Sequence, residues 1–205
     1  MPEEYPYHDS DFGFASHYIL PVLLKFLGHL PEKAVIADLG CGNGSLLAQL
    51  RRPGWELHGL EVSASGVEHA RKAYPDIHFD RVDLMSDLSS HSLAGACDAV
   101  ISTEVVEHVY LPRTFARNCH AFLKPGGTLV LSTPYHGYVK NLVLAATGRM
   151  DAHFTALWYY GHIKFWSRKT LSALLAETGF DVAEFRGAGR VPYLWKSMVV
   201  MANKK

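Results

Sequence analysis

The feature that most constrains this chain is a run of glycines directly after a short apolar segment. Residues 34–38 (AVIAD) predict a buried strand, and Gly40, Gly42 and Gly44 follow within the next six residues. Glycine permits backbone conformations with positive φ and lets the main chain approach a ligand closely. Because a helix is predicted to begin near Gly44, its free N–H groups would face the same ligand. The segment therefore predicts a strand, a ligand-binding loop and a helix in succession.

This loop differs from the fingerprint of dinucleotide-binding proteins. That fingerprint has the spacing G-x-G-x-x-G, and Ser45 occupies the position of its third glycine. Glu61 ends the next predicted strand, 21 residues after Gly40, where a carboxylate accepts hydrogen bonds from ribose hydroxyls. The pattern indicates a nucleoside ligand and gives no evidence for a pyrophosphate.

Strand and helix periods alternate along most of the chain, which is typical of an α/β protein with a largely parallel sheet. Strands are predicted at residues 34–38, 55–61, 77–83, 98–102, 129–131, 180–185 and 197–201, and helices at 16–28, 63–74, 111–123 and 167–180. We expect one domain over residues 1–205, with an N-terminal helical segment at 1–30 and an insert at 134–166. Long connections at the carboxyl ends of parallel strands usually build the substrate site.

Several of these motifs together resemble the class I S-adenosylmethionine-dependent methyltransferases. DLGCGNG at residues 38–44 is similar to their first motif, Glu61 to their ribose-binding acid, and VDL at residues 82–84 to the segment beside adenine. LKPGG and TLVLS resemble the hairpin that leads into their fifth strand. The resemblance implies a Rossmann-like, seven-stranded, mostly parallel sheet of order 3-2-1-4-5-7-6, with strand 7 antiparallel and helices on both faces.

The same resemblance implies the cofactor S-adenosylmethionine, with S-adenosylhomocysteine as the product. The cofactor-binding residues that it implies are Asp38, Gly40, Cys41, Gly42, Gly44, Glu61, Asp83, Leu84 and Thr103. The sulfonium of this cofactor is cationic and matches the acids around the loop, whereas the loop contains no lysine or arginine for a phosphate. Methyl transfer proceeds by in-line displacement, so the enzyme must position the acceptor and remove its proton.

A second motif, EVVEH at residues 104–108, follows a predicted strand and therefore lies at the same sheet edge. If the segment opens a helix, positions i, i+3 and i+4 place Glu104, Glu107 and His108 on one face. Two carboxylates and an imidazole suit a divalent cation such as Mg2+, Mn2+ or Zn2+. The alternative is that the segment shapes the cofactor pocket or caps the helix without any metal.

His162 lies at the far end of the insert, in GHIKFWSR, where it can reach the same edge as a fourth ligand. An E-x-x-E-H segment with a later H-x-K-F-W-S segment resembles two methyltransferase groups, the O-methyltransferases of ubiquinone biosynthesis and the small-RNA 2′-O-methyltransferases. Their acceptors present adjacent hydroxyls, and a cation bound to such a pair lowers the pKa of one oxygen and orients it. We therefore hypothesise a metal site at Glu104, Glu107, His108 and His162. Within that set, His162, Glu104 and His108 are the candidate catalytic residues.

A second hypothesis assigns the proton transfer to a side chain without any metal. His162 is then the leading candidate for the general base, followed by His136, His153 and Asp151. A histidine with a pKa near neutrality suits proton removal from a phenol or an activated hydroxyl. Under this hypothesis every candidate base belongs to the insert.

The insert combines a short apolar helix, predicted at residues 138–146, with basic and aromatic side chains. The flanking cations are Lys140, Arg149, Lys164, Arg168 and Lys169, and the aromatic residues include Phe154, Trp158, Tyr159 and Tyr160. This composition suits a lid that packs inward over an apolar pocket. It also suits an interfacial segment, through which residues 138–166 would contact a membrane peripherally. A lipid-like substrate would be compatible with both.

The sequence thus predicts O-methylation of a small or lipid-like acceptor of the quinone or catechol type. An RNA 2′-O-methyltransferase and a non-catalytic sensor of an adenosyl ligand are the alternatives. Residues 1–110 hold 7 Lys+Arg and 16 Asp+Glu, whereas residues 111–205 hold 13 and 4. The basic half suits an anionic partner or neutralises the acidic half within the fold. The zero net charge of the whole chain disfavours nucleic acid as that partner.

Composition indicates a cytoplasmic protein, with peripheral contact at the inner membrane face. The first residues are acidic where a signal peptide is basic, and no run approaches the roughly 18 apolar residues of a membrane span. Cys41, Cys97 and Cys119 form no C-x-x-C pair. Neither a disulfide framework nor a structural zinc site is therefore predicted.

Overall fold

A seven-stranded sheet forms the centre of the computed structural model, which describes Tyr7, Gly13 and residues 15–205. Its strands are β1 (Ala34–Leu39), β2 (Trp55–Glu61), β3 (His78–Arg81), β4 (Cys97–Thr103), β5 (Leu123–Pro134), β6 (Phe180–Ala188) and β7 (Ser197–Lys204). They lie in the order β3-β2-β1-β4-β5-β7-β6. Strands β1 to β5 pair in parallel, and β7 runs antiparallel to both β5 and β6. The predicted strand order and the antiparallel strand 7 are confirmed.

Helices connect these strands, and local capping explains where several of them begin. They are α1 (Ser16–Phe26), α2 (Ser45–Ala48), α3 (Ala64–Ala73), α4 (Pro112–Phe122), α5 (Tyr138–Ala146), α6 (Met150–Phe154) and α7 (Arg168–Glu177), with a 3-10 turn at Leu27–His29. The Ser63 hydroxyl accepts a hydrogen bond from the Gly66 N–H at 3.2 Å, and Ser167 forms a capping box with Thr170. Ser63 and Ser167 therefore cap α3 and α7, at the first residues of the helices predicted at 63–74 and 167–180.

Several strand boundaries differ from the sequence prediction, and β5, β6 and β7 all extend beyond their predicted ends. Strand β3 is shorter than the predicted 77–83, and β5 begins at Leu123 rather than near residue 129. The register of β5 against β4 shifts between Cys97 and Ala99. Gly126 has φ of +74°, so the glycines that predict a turn instead let β5 continue through an irregularity.

Apolar side chains cover both faces of the sheet because successive residues of a strand point to opposite sides. Leu129 and Leu131 belong to the same buried cluster as Phe115 of α4, whereas Val130 belongs to the cluster of Leu23 of α1. All five side chains are fully buried. The sequence predicts burial on both faces for this run of β5, and the structure confirms it. Polar side chains consequently gather at the edge of the sheet, where the parallel strands end.

Candidate active site

The glycine loop after β1 adopts a conformation that residues with side chains adopt only at a cost. Gly40, Gly42 and Gly44 have φ of +85°, +55° and +75°, in the left-handed region. A Cβ atom on Gly40 would lie 2.4 Å from Cγ2 of Val105, so this close approach also requires glycine. The loop therefore brings bare backbone against the segment that follows β4.

Asp38, near the end of β1, is a buried acid whose hydrogen bonding is incomplete. It is 1% exposed, and its Oδ1 has no hydrogen-bond partner among the described residues. Burial, together with the Glu61 carboxylate, raises the pKa of Asp38 to about 8. A cationic ligand would offset this cost, and both the sulfonium and the amino group of S-adenosylmethionine carry a positive charge.

Glu61, at the end of β2, connects two segments beside the glycine loop. Its Oε2 accepts a hydrogen bond from the Gly42 N–H, and its Oε1 accepts one from the Ser63 N–H, both at 2.9 Å. The residue is buried. These bonds hold the carboxylate next to the loop, where the sequence predicts recognition of a ribose.

Tyr7 also lies against the glycine loop, and sequence reasoning missed it. Its backbone N–H donates a hydrogen bond to Ser65 Oγ at 3.0 Å. A Cβ atom on Gly42 would lie 2.6 Å from the Tyr7 hydroxyl oxygen, and one on Gly66 would lie 3.0 Å from Cδ2 of the ring. The tyrosine ring therefore packs over two glycines near the start of α3. A single tyrosine has no characteristic spacing, so the sequence offers no signal for this contact.

The other predicted cofactor-binding residues lie along the same edge of the sheet. Cys41 is buried in the loop, and Thr103 is the last residue of β4. Leu84 is buried in the turn after β3, whereas Asp83 is exposed and its Oδ1 accepts a hydrogen bond from the Met85 N–H at 2.8 Å. The predicted residues thus lie at the ends of four neighbouring strands, and Asp83 faces solvent.

The prediction of a helix at residues 104–108 is wrong, because this segment forms a turn. Glu104 has φ of +55°, in the left-handed region, and α4 begins only at Pro112. Proline disfavours helical geometry in the residue before it, so Leu111 separates the turn from the helix. The helical spacing that would align both glutamates with His108 is therefore absent.

Serines of β5 and β7 bind Glu104 and keep it apart from the other predicted metal ligands. Its Oε1 accepts a hydrogen bond from Ser132 Oγ at 2.8 Å, and its Oε2 accepts one from Ser197 Oγ at 3.0 Å. Burial raises the pKa of Glu104 to about 7, although these two bonds and the charge of Lys140 lower it. Glu104 consequently lies outside the group that the remaining candidates form.

Glu107, His108 and His162 come together, and this group is called the triad below. One ligand atom from each lies within 4.8 Å of the others, and the two imidazole rings have centroids 4.9 Å apart. Main-chain bonds hold the end of the insert there. The N–H groups of Ile163 and Lys164 both donate to the Glu107 carbonyl oxygen, at 2.9 and 3.0 Å.

Burial determines the charges of the triad. Burial and the charge of Glu104 raise the pKa of Glu107. The Oε2 atom of Glu107 accepts a hydrogen bond from Thr133 Oγ1 at 2.9 Å, whereas its Oε1 has no hydrogen-bond partner among the described residues and lies 3.9 Å from His108 Nε2. Burial lowers the pKa of His108, and burial together with the charge of His108 lowers that of His162 to about 4. Both imidazoles are therefore neutral near pH 7, which is the form that binds a metal or accepts a proton.

The insert folds into α5, α6 and a segment that leads to α7. Helix α5 matches the predicted helix at 138–146, and no helix of the described residues is long and apolar enough to cross a membrane. His136 and His153 form a ring cluster with Phe154 and Phe165, in which centroids lie 5.0 to 5.9 Å apart. Asp151 is exposed in the first turn of α6. The three alternative bases thus comprise two histidines among rings and one acid in solvent.

The sequence matches one known family along most of its length. A family profile described as a methyltransferase domain matches residues 12–184. The chain belongs to the methyltransferase-domain family. The ubiquinone biosynthesis O-methyltransferase of Burkholderia pseudomallei (strain 1710b) is 27% identical to it over 182 residues, which cover 86% of this chain and 78% of that protein. The protein of the same name from Xanthomonas axonopodis pv. citri (strain 306) is 35% identical over 122 residues, which cover 57% of this chain and 51% of that protein.

Solved structures share the fold of this methyltransferase. Geranyl diphosphate C-methyltransferase from Streptomyces coelicolor A3(2), in complex with Mg2+, geranyl diphosphate and S-adenosyl-L-homocysteine, has a TM-score of 0.68 at 16% identity, covering 91% of this chain and 80% of that chain. The [4+2]-cyclase SpnF has a TM-score of 0.73 at 15% identity, covering 100% and 87%. The same fold thus occurs in enzymes that catalyse different reactions. The family match and its relatives confirm the predicted enzyme class, an S-adenosylmethionine-dependent methyltransferase.

Replacing Gly40 with alanine should weaken the binding of S-adenosylmethionine by about ten-fold or more, equivalent to about 1.4 kcal/mol. The added Cβ would lie 2.4 Å from the Val105 side chain on a backbone with φ of +85°, so the loop must shift. Isothermal titration calorimetry measures the affinity. Gly95→Ala is the matched control, because Gly95 also has a positive φ, +68°, but nothing lies within 4 Å of its Cβ position. Equal affinities of the two variants would contradict a cofactor-binding role for the loop.

Proposed function

We propose that this methyltransferase transfers a methyl group to an oxygen of a small or lipid-like acceptor of the quinone or catechol type. The triad carries this proposal, because two neutral imidazoles and a buried carboxylate meet there at the carboxyl edge of the sheet. The turn that bears Glu107 and His108 contacts the glycine loop through Val105 and Gly40. The curated relatives named ubiquinone biosynthesis O-methyltransferase support the same acceptor class.

On the donor side, the glycine loop and its neighbouring acids hold S-adenosylmethionine in this proposal. The unpaired oxygen of Asp38 binds a cationic group of the cofactor, and Glu61 binds the ribose hydroxyls. Tyr7 covers the loop at Gly42 and shields the cofactor from water. The remaining pocket residues are Gly40, Cys41, Gly44, Asp83, Leu84 and Thr103.

On the acceptor side, Glu107, His108 and His162 fit a divalent cation. The set provides two neutral imidazoles and a buried carboxylate oxygen that has no hydrogen-bond partner among the described residues. A cation would compensate the buried negative charge. Such a cation, when bound, lowers the pKa of an acceptor hydroxyl. Glu104 is left out of this proposed set because two serines already bind its oxygens.

If His162 acts as the general base without a cation, its low pKa constrains the acceptor that it can serve. A base with a pKa of about 4 removes a proton efficiently only from a hydroxyl that is already acidic or acidified. Phenolic hydroxyls meet this condition more readily than sugar hydroxyls do. This difference supports a catechol-type acceptor over the 2′-hydroxyl of RNA.

The experiment that tests the proposal incubates the purified protein with methyl-labelled S-adenosylmethionine and a cell extract. Label is then counted in the lipid-soluble, small polar, RNA and protein fractions, and the labelled product is identified by mass spectrometry. We expect an O-methylated aromatic product in the lipid-soluble or small polar fraction. Label in RNA would support 2′-O-methylation instead, consistent with the surplus of basic residues in 111–205. No label despite bound cofactor would favour a sensor.

Removal of divalent cations should lower the rate of methyl transfer at least about ten-fold, and added Mg2+, Mn2+ or Zn2+ should restore it. Glu107→Gln and His162→Asn should cause a similar loss that metal does not restore, since each variant lacks a proposed ligand. His78→Asn, on the distant edge strand β3, is the control and should keep the wild-type rate. A rate unaffected by chelator and by added metal would rule out the cation and leave His162 as the general base.

We also propose that residues 138–166 contact a membrane surface peripherally. Several apolar or aromatic side chains of the insert extend into solvent: Tyr138 is 81%, Leu142 54%, Leu157 97% and Tyr159 98% exposed. Exposed apolar side chains next to basic residues favour binding to anionic lipid surfaces.

Sedimentation with vesicles that contain phosphatidylglycerol tests this contact. The wild-type protein should bind the vesicles, and high salt should weaken the binding because the basic residues are screened. Leu157→Ser and Tyr159→Ser should each reduce the bound fraction several-fold. Val62→Ser, a similar change at an exposed residue after β2, is the control. If all three variants bind the vesicles as well as the wild-type protein does, the insert does not make the contact.

A further inference from the structure

Lys140 is a charged residue inside the insert rather than on its surface. Only 5% of it is exposed, although the sequence predicts it among the flanking cations of an interfacial helix. Its Nζ donates one long hydrogen bond, 3.4 Å, to the Lys196 carbonyl oxygen. Lys140 forms no salt bridge with any residue in the described part of the chain. A buried ammonium group without a close anion is costly, so this geometry points to a missing negative partner.

Two charged side chains, Arg190 and Glu104, act on Lys140 in opposite directions. Burial, and then the guanidinium of Arg190, lower the pKa of Lys140 to about 8, whereas the Glu104 carboxylate raises it. The ammonium is therefore still protonated at neutral pH. Glu104 compensates this charge only in part, because Ser132 and Ser197 bind both of its oxygens.

His136 is a second buried polar group near Lys140 whose hydrogen bonding is incomplete. It is 7% exposed, and neither ring nitrogen makes a hydrogen bond of good geometry with a described residue, although the Asn141 side chain lies near enough to raise the pKa of the ring. Burial, followed by the charges of Lys140 and His153, lowers the pKa of His136 to about 4, so the imidazole is neutral. A neutral imidazole always carries one N–H donor. An ammonium and a ring N–H thus lie four residues apart in the chain, both buried, and neither makes a short hydrogen bond to an acceptor.

We propose that Lys140 and His136, assisted by the exposed Arg190, bind a carboxylate group of the acceptor. A carboxylate supplies one negative charge and several lone pairs, which satisfies the ammonium and the ring N–H together. Lys140 bonds the Lys196 carbonyl oxygen, and the neighbouring Ser197 bonds Glu104, which lies three residues before Glu107, so this anion site adjoins the triad. The acceptor is then a hydroxylated aromatic acid. This inference rests on the proposed O-methyl transfer and narrows its acceptor class.

The test compares 3,4-dihydroxybenzoate with its neutral analogue 3,4-dihydroxybenzamide. Isothermal titration calorimetry measures the affinity of both compounds for the full chain loaded with S-adenosylhomocysteine. The wild-type protein should bind the acid at least about ten-fold more tightly than the amide. Lys140→Met keeps the length of the side chain and removes its charge, so it should abolish the difference. Lys140→Arg should restore part of it.

Two exposed residues provide variants that do not disturb the core. Arg190→Gln should reduce the preference for the acid several-fold, whereas Lys72→Gln on α3 should leave it unchanged. Three results would overturn the anion site: no binding of the acid by the wild-type protein, equal affinity for the acid and the amide, or a preference that survives in Lys140→Met.

Methyl transfer to the same two compounds separates this inference from the proposed function. If both compounds are O-methylated with equal kcat/KM, the proposed function stands and the anion site fails. If the acid binds through Lys140 but neither compound nor any component of the extract is O-methylated, the anion site stands and the proposed function fails.

Discussion

Burial of carboxylates at one edge of the sheet is the constraint on which the candidate site depends. Asp38, Glu61 and Glu107 are buried there, and Glu104 is half-buried. Water solvates these groups poorly, so each needs hydrogen bonds or a cation. Glu61 accepts hydrogen bonds from backbone N–H groups, and Glu104 accepts them from two serines. Asp38 and Glu107 each have one oxygen without a hydrogen-bond partner among the described residues. Of these two acids, Asp38 lies on the side of the methyl donor and Glu107 on the side of the proposed acceptor.

Nitrogen groups from the second half of the chain face this acidic edge. His162 reaches the triad from the insert, and Lys140 influences the pKa of Glu104 from α5. Residues 1–110 supply the acids of the site, and residues 111–205 supply most of the groups that approach them. The opposite charges of the two halves therefore act partly within the fold itself, in addition to any contact with an outside partner.

The sheet and the glycine loop could be predicted from the sequence because their signals are local. Apolar runs identify the central strands, and three closely spaced glycines identify the loop. The acceptor side could not be predicted to the same extent, because tertiary contacts decide where its charged side chains lie. Glu104 lies outside the predicted ligand group because its backbone is left-handed and α4 begins only at Pro112. Lys140 is buried instead of exposed. Tyr7 contacts the glycine loop on the donor side, and no spacing in the sequence predicts this contact.

Main-chain carbonyl oxygens of the turn after β4 hold the end of the insert, through two backbone N–H groups and through the Trp166 indole N–H, which donates to the Val106 carbonyl oxygen. Both N–H groups, of Ile163 and Lys164, donate to the carbonyl oxygen of Glu107. Side-chain substitutions in that turn leave the attachment in place, since the acceptor is a main-chain atom. A movement of the insert that breaks these two bonds also takes His162 away from the rest of the triad. If the acceptor enters by this movement, each turnover has to dismantle the triad and build it again around the bound acceptor.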